Sequence, residues 1–387
     1  YPAHDDALAG RHRAAPPQRG RLDYHRRRQH SPGSRGGPQK GRGATSNLAG
    51  RFESLARDPF DDGWPRDADA PPPPRTEVVR ETARTIIARN DSPDIPFDQS
   101  INPYRGCEHG CPYCYARPSH AYLGLSPGLD FETRIFAKVN AAELLVKELA
   151  APGYTASPIA LGSNTDPYQP AERELGITRS ILAVLAACDH PATIVTKSAL
   201  VERDIDLLAP MAAKRLVRAY VSVTNLDADL ARTLEPRAAA PWRRLETIRR
   251  LADAGIPVGV LVAPVIPFLT DRFLEEILER AAAAGAASAG YILLRLPHEV
   301  APVMKAWLAA HHPLKAEHVM SLVRQMRGGR DYESAFGVRQ TGRGQYAELI
   351  ARRFAVAARR LGLDGERAPL DTSRFRPPKA GPQLDLF

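Results

Sequence analysis

The chain has 387 residues, a formal net charge of +9, 43% hydrophobic residues and four cysteines, a length that suits one large domain with extensions. No apolar run is long and uncharged enough to span a membrane, and the start (Tyr1 rather than Met) lacks the apolar core of a secretory signal. Four cysteines in so long a chain argue against a disulfide framework and for a reducing, cytoplasmic location.

The charge is placed unevenly. Residues 1–50 carry ten Lys/Arg against three Asp, a net +7, so the remainder is nearly neutral and the high pI belongs to an arm. Residues 1–75 are rich in Arg, Pro and Gly and poor in large apolar side chains. They cannot bury enough surface to offset chain entropy, and disorder is expected. Residues 76–100 form a short ordered lead-in. Val78, Val79, Ala83, Ile86 and Ile87 suit one helical face, with a strand as the alternative, and Ser92-Pro93-Asp94-Ile95-Pro96 breaks it.

Next comes Cys107-Glu108-His109-Gly110-Cys111-Pro112-Tyr113-Cys114, which holds three of the four cysteines as C-x-x-x-C-x-x-C. Thiolates so close in sequence converge on one metal centre without distant help, and Gly106 and Gly110 allow the tight turns required. An iron–sulfur cubane takes four ligands; three leave one iron open, and an open position distinguishes a catalytic metal from a structural one. The rival is zinc on three cysteines plus His109, although no second cysteine knuckle exists.

After this loop, strands and helices alternate: helix 140–150, strand 159–161, helix 177–187, strand 192–196, helix 203–213, strand 217–223, helix 242–254, strand 258–265, helix 272–284 with Asp271 as N-cap, strand 291–296 and helix 300–309. Short continuous apolar strands between amphipathic helices predict parallel pairing with right-handed crossovers. With 100–104 as the first strand there are six such units, and chemistry is expected at the C-terminal ends of the strands. Residues 311–363 read as a helical extension, with helices at 320–326 and 346–361. Arg352, Arg353, Arg359 and Arg360 share a helix face and form a candidate phosphate contact. Residues 364–387 read as a flexible tail.

The cysteine loop resembles the cluster-binding signature of the radical S-adenosylmethionine (SAM) superfamily. The run Ser100-Ile101-Asn102-Pro103-Tyr104-Arg105-Gly106-Cys107 is similar to the branch called "DNA repair photolyase", related to spore photoproduct lyase. The resemblance runs from about Gly41 to Leu363. It includes Lys40-Gly41-Arg42-Gly43-Ala44-Thr45-Ser46-Asn47 and Asp61-Asp62-Gly63-Trp64, which are expected to dock on the barrel. It implies an α/β fold: a partial (β/α)6 TIM-like barrel, flanked by the arm and the helical extension. It also implies a 4Fe–4S cluster on Cys107, Cys111 and Cys114, and SAM bound at the open iron and cleaved to a 5′-deoxyadenosyl radical.

By the same resemblance the Tyr113 backbone meets the adenine, and Gly162, Ser163 and Asn164 lie where the methionine amino group binds. Lys197, Ser222 and Thr224, at or near the ends of the third and fourth strands, are candidates for the SAM carboxylate and ribose. Glu235 and Arg237 are a candidate clamping pair, and Asp166 to Pro170 lie over the mouth, touching substrate or shaping the loop. Spore photoproduct lyase uses a cysteine near the end of its second strand as hydrogen donor; this chain has Ser163 there, and Cys188 is expected as a plain buried cysteine at the opposite end.

The final Gln383, Leu384, Asp385, Leu386 and Phe387 resemble the pentapeptide by which bacterial repair and replication proteins dock on the DNA polymerase sliding clamp. The expected function is a radical SAM enzyme acting on DNA, with the clamp and a cellular electron donor as partners and no membrane. An RNA, protein or metabolite substrate is the nearest rival. A clamp-tethered DNA-binding protein with a structural or redox-sensing cluster is the reading from another class.

Overall fold

A computed structural model of the chain describes residues 38–53 and 75–378. Asp61–Trp64 and the terminal pentapeptide lie outside the described residues. The main sheet has seven strands, in the order Ser288–Leu293 (β10), Val258–Val265 (β9), Val217–Ser222 (β8), Ala192–Thr196 (β7), Ile159–Leu161 (β6), Gln99–Ile101 (β3) and Ile87–Arg89 (β2). Every neighbouring pair is parallel except β2 with β3. The six parallel strands are the six units expected from the apolar rhythm. Their side chains are largely buried, as in parallel sheets covered by helices.

The helices are Asp130–Thr133 (α1), Ala141–Leu149 (α2), Glu172–Leu175 (α3), Ile177–Ala187 (α4), Ile205–Ala213 (α5), Ala228–Leu234 (α6), Pro241–Asp253 (α7), Leu274–Ala283 (α8), Val300–His311 (α9), Pro313–Met326 (α10) and Gln345–Arg360 (α11). One core joins the sheet to α2, α4, α5, α7, α8 and α11. A second, at the upper end of the sheet, packs Cys111 and Tyr113 with Leu230, Leu234, Trp307 and Val323. The cysteine loop is thus set on an apolar floor of its own.

Several expectations need correction. The lead-in is not helical: Glu77–Glu81 (β1) is a strand, paired in parallel with Arg134–Lys138 (β5) in a small second sheet with Tyr104–Arg105 (β4). The first barrel strand is β3, ending at Ile101, because Tyr104 pairs with Ala137 in the small sheet instead. Asp271 is no N-cap of α8. It lies in a 3-10 turn, and its carboxylate accepts a hydrogen bond from the Tyr346 hydroxyl at 2.7 Å.

The arm is not disordered throughout, since residues 38–53 pack against the barrel and Arg42, Ala44 and Thr45 are buried. Nor is residue 364 the start of a free tail. Arg367 bonds the Tyr220 hydroxyl at 2.9 Å, the Arg376 N–H bonds the Cys188 carbonyl at 2.8 Å, and the Phe375 ring sits 5.1 Å from His190. Residues 364–378 therefore form a strap across the lower end of the sheet. The buried Cys188 lies beneath it, far from the cysteine loop in the fold, as expected.

Candidate active site

The cysteine loop begins six residues after β3, at the C-terminal end of the sheet. Gly106 and Gly110 both have left-handed backbones, with φ of 78° and 70°. A Cβ on Gly110 would lie 2.8 Å from Glu132 Oε2, so only glycine allows this turn. The Cys107 N–H bonds the Phe131 carbonyl at 2.9 Å. Gln169 holds the loop from both sides: its Oε1 accepts the Glu108 N–H at 3.0 Å, and its Nε2 donates to the Gly106 carbonyl at 3.2 Å.

Arg117, fully buried, is the hub of the loop. It donates to the carbonyls of Cys111 (2.9 Å), Pro127 (2.9 Å), Gly128 (2.8 Å) and Gly110 (3.1 Å), and forms an ion pair with buried Glu132. Glu132 in turn accepts the N–H groups of Gly43 at 3.0 Å and Ala44 at 2.8 Å. One buried ion pair thus ties the metal loop to the arm.

Burial pushes all three thiols up, that of Cys111 to about 12. A buried thiol becomes a thiolate when a metal supplies the missing positive charge. Backbone N–H groups of Ala116 and Arg117 already point at the Cys114 sulfur, and that of Asp166 at Cys107. Among the described residues no three His, Cys, Asp or Glu side chains are close enough to hold one ion. His109 is committed elsewhere, with Nδ1 3.3 Å from Asp166 Oδ2. Burial opposes charge on Asp166, yet His109, the Lys197 N–H (2.7 Å) and the Thr196 hydroxyl (2.7 Å) hold its carboxyl down to about 2. The Asp166 to Pro170 segment therefore shapes the loop.

The other expected residues fall into two groups. Gly162, Ser163 and Asn164 wrap around Asn102, whose Nδ2 donates to Ser163 Oγ at 3.2 Å and whose Oδ1 accepts the Asn164 N–H at 2.9 Å. Gly162 has φ 87°, and a Cβ there would lie 2.2 Å from the Val195 carbonyl oxygen. Lys197 places Nζ 5.8 Å from the centre of the Tyr113 ring. Thr224, just beyond β8, is fully buried, and its Oγ1 has no hydrogen-bond partner among the described residues. Asn225, equally buried, leaves Nδ2 unpaired in the same way. Unpaired buried polar atoms are costly, so this end of the sheet fits a polar ligand. Ser222 is buried, and its carbonyl accepts from Arg244 Nη1 at 3.1 Å.

Glu235 and Arg237 are not brought together as a clamp. Glu235 is buried between the Tyr113 hydroxyl and Arg244, whose Nη2 is 2.6 Å from Oε2. Burial opposes its charge, but Arg244 and Lys197 hold the carboxyl down to about 2. Arg237 instead pairs with Glu108 at 3.1 Å and donates to Thr76 at 3.0 Å. The basic face of α11 is also largely spent within the chain: Arg353 pairs with Glu275 at 2.7 Å and Arg360 with Glu279. Gln169 lies in the Asp166 to Pro170 segment that the sequence singles out, whereas Arg117, Glu132, Asn102 and Arg244 are not among the residues singled out from it. Only Asn102 had a signal, its place in the Ser100–Cys107 run.

The open side of the sheet, between β10 and β2, is bridged. Arg327 donates to the Leu294 carbonyl at 2.9 Å, and the Leu293 N–H bonds Gln340 at 2.9 Å. From the same 327–342 loop, Arg339 pairs at 2.6 Å with Asp94 in the β2–β3 turn.

A parallel barrel that carries a three-cysteine loop at the C-terminal ends of its strands has the build of a barrel enzyme. Residues 101–281 match the family model described as "Radical SAM superfamily". An uncharacterized protein of Mycobacterium tuberculosis (strain ATCC 25618 / H37Rv) is 37% identical over 282 residues, 72% of this chain and 79% of the relative. One of Methanocaldococcus jannaschii is 27% identical over 199 residues, 51% of this chain and 71% of the relative. A solved structure of spore photoproduct lyase complexed with dinucleoside spore photoproduct superposes with a TM-score of 0.54 at 17% identity, over 73% of this chain and 79% of that one, and so shares the fold. The chain belongs to the radical SAM superfamily and is a radical SAM enzyme, with a 4Fe–4S cluster and SAM as cofactors.

Proposed function

We propose that Cys107, Cys111 and Cys114 hold the cluster, that SAM binds beside them at the strand ends, and that the enzyme acts on DNA. The observation that carries the first part is the three-cysteine loop, locked by Arg117 and Gln169 at the C-terminal end of a parallel barrel. When bound, the cluster and SAM together supply a 5′-deoxyadenosyl radical able to take hydrogen from an unactivated carbon. The chain's own task is to bind, orient and shield. Arg117 fixes the loop through its carbonyls. Asn102 sets the Gly162–Asn164 turn by bonding Ser163 Oγ and the Asn164 N–H. Thr224 and Asn225 offer unpaired hydrogen-bonding atoms, and Lys197 supplies a positive charge near Tyr113.

Three features support DNA: the basic arm of residues 1–50, the clamp-like Gln383–Phe387, and the dinucleoside spore photoproduct bound by the structural neighbour. We place the protein in the cytoplasm, with an electron donor and the sliding clamp as partners. Ser163 follows the second parallel strand where spore photoproduct lyase has its donor cysteine, so the reaction differs from that of the spore enzyme. Anaerobically reconstituted protein, once reduced, is expected to cleave SAM to 5′-deoxyadenosine, and Cys114→Ala to abolish this. Iron retained without turnover would instead establish a cluster-bearing binding protein. Deuterium passing between damaged DNA and deoxyadenosine tests the substrate. Deletion of Leu386 and Phe387 is expected to abolish clamp capture.

A further inference from the structure

Two large aromatic side chains stand in water at the rim of the mouth. Phe52, at the end of the described arm, is 57% exposed, and Tyr122, just after the cysteine loop, is 72% exposed. Their ring centroids are 4.9 Å apart, tilted by 41°. The Arg51 guanidinium lies 5.1 Å from one ring and 5.5 Å from the other. Glu299 Oε1 accepts the Arg51 backbone N–H at 3.1 Å and lies 3.8 Å from the Arg51 Nε, so the guanidinium charge is partly offset. Glu299 ends the loop that follows β10, and the same loop carries Arg295. Arg295 sits 5.2 Å from the centre of the Tyr115 ring, itself 46% exposed and hydrogen-bonded to the Ser163 carbonyl. One short loop therefore holds two arginine-bearing aromatic groups, one at the rim and one beside the Ser163 turn.

Packing does not account for the rim pair. The arm is already anchored by buried Ala44 and by the N–H bonds to Glu132. Exposed aromatic rings beside an arginine match the needs of an unpaired nucleic-acid strand: π-faces for the bases, with a guanidinium, partly offset by Glu299, beside them. A docking protein would call for a contiguous apolar patch without charge lying across it. In a paired duplex the base faces are closed by stacking, so such rings gain only when a base is unpaired or extruded.

We propose that Phe52 and Tyr122 form a stacking platform for unpaired bases next to the mouth, so that the substrate is single-stranded or locally opened DNA. This deepens the DNA reading above and rests on it. The test is fluorescence anisotropy on the reconstituted full chain. The probes are a labelled thymidine oligonucleotide, a duplex with a central unpaired thymidine, and the fully paired duplex. The intact protein is expected to prefer the first two. Phe52→Ala and Tyr122→Ala should each weaken binding to them by about ten-fold, with little change toward the paired duplex. Tyr122→Phe should bind as the parent does, and Tyr122→Leu, which keeps apolar bulk but loses the ring, should bind as weakly as Tyr122→Ala. Thermal midpoint and iron content verify the fold of each variant. Parent-like binding by Tyr122→Leu and Phe52→Ala overturns the platform and leaves the DNA reading standing. No binding of any DNA by the intact protein overturns the DNA reading, and the platform with it.

Discussion

Replacing Arg117 with methionine keeps most of the volume and removes the charge at the centre of the cysteine loop. In the structure this side chain satisfies the carbonyls of Gly110, Cys111, Pro127 and Gly128 and neutralises Glu132, with no exposure of either partner. After the change, Glu132 keeps the N–H groups of Gly43 and Ala44, and the Arg42 guanidinium stays on its backbone carbonyl at 3.0 Å. Breaking a buried pair from one side costs about 3–5 kcal/mol, since the remaining charge loses its closest partner. That is a large share of a typical folding stability of roughly 5–15 kcal/mol. Arg117→Met is therefore expected to lower stability by about 4 kcal/mol in denaturant unfolding, and to cut the iron bound per chain, because two of the freed carbonyls flank a cysteine. Arg117→Met combined with Glu132→Gln should recover about 1 kcal/mol, since the glutamine carries no charge but its single oxygen can accept only one of the two N–H bonds that the two carboxylate oxygens take. A cost below about 1 kcal/mol for Arg117→Met, or strict additivity in the double variant, would refute the claim that this pair holds the loop.

Other expectations follow from single contacts. Gly162→Ala sets a Cβ 2.2 Å from the Val195 carbonyl oxygen at φ 87°, so it should cost roughly 3 kcal/mol in unfolding experiments; a neutral result would mean the turn shifts freely. Burial lowers the His190 imidazole to about 4 from its ordinary 6.5. The unfolded chain thus takes up a proton at this site at higher pH than the native one does. Stability from this site is complete above about pH 6.5 and falls by about 3 kcal/mol as pH drops toward 4. His190→Gln should remove that step from the stability–pH curve. Arg353→Ala, which breaks a half-exposed pair with Glu275, should cost under about 1 kcal/mol and leave the salt dependence of DNA binding unchanged; a shallower salt slope would restore α11 as a phosphate contact.

What the sequence disclosed depended on how far apart the cooperating residues lie. The three cysteines proposed as ligands sit within eight residues and stand out by their spacing. The barrel strands are continuous apolar runs because both faces of a parallel sheet are covered. The supports of the site follow no such local rule. Arg117 and Glu132 are unremarkable charges until the chain folds, and the N–H groups that Glu132 accepts come from residues about ninety positions earlier. The arm segment 38–53 and the strap 364–378 look unstructured by composition. They are held by hydrogen bonds to buried carboxylate and carbonyl groups, which a count of apolar residues does not register. In β1, the Val78–Val79 pair fits a helix or a strand alone, and only the parallel register with β5 decides it. At Glu235 and Arg237, adjacency suggested one joint role, but each carboxylate and guanidinium goes to the opposite charge that burial makes most valuable: Arg244 for the first, Glu108 for the second. A buried charge spends its partner on its own solvation, so ligand-facing groups at this mouth are to be sought among side chains still lacking one, Thr224 and Asn225 above all.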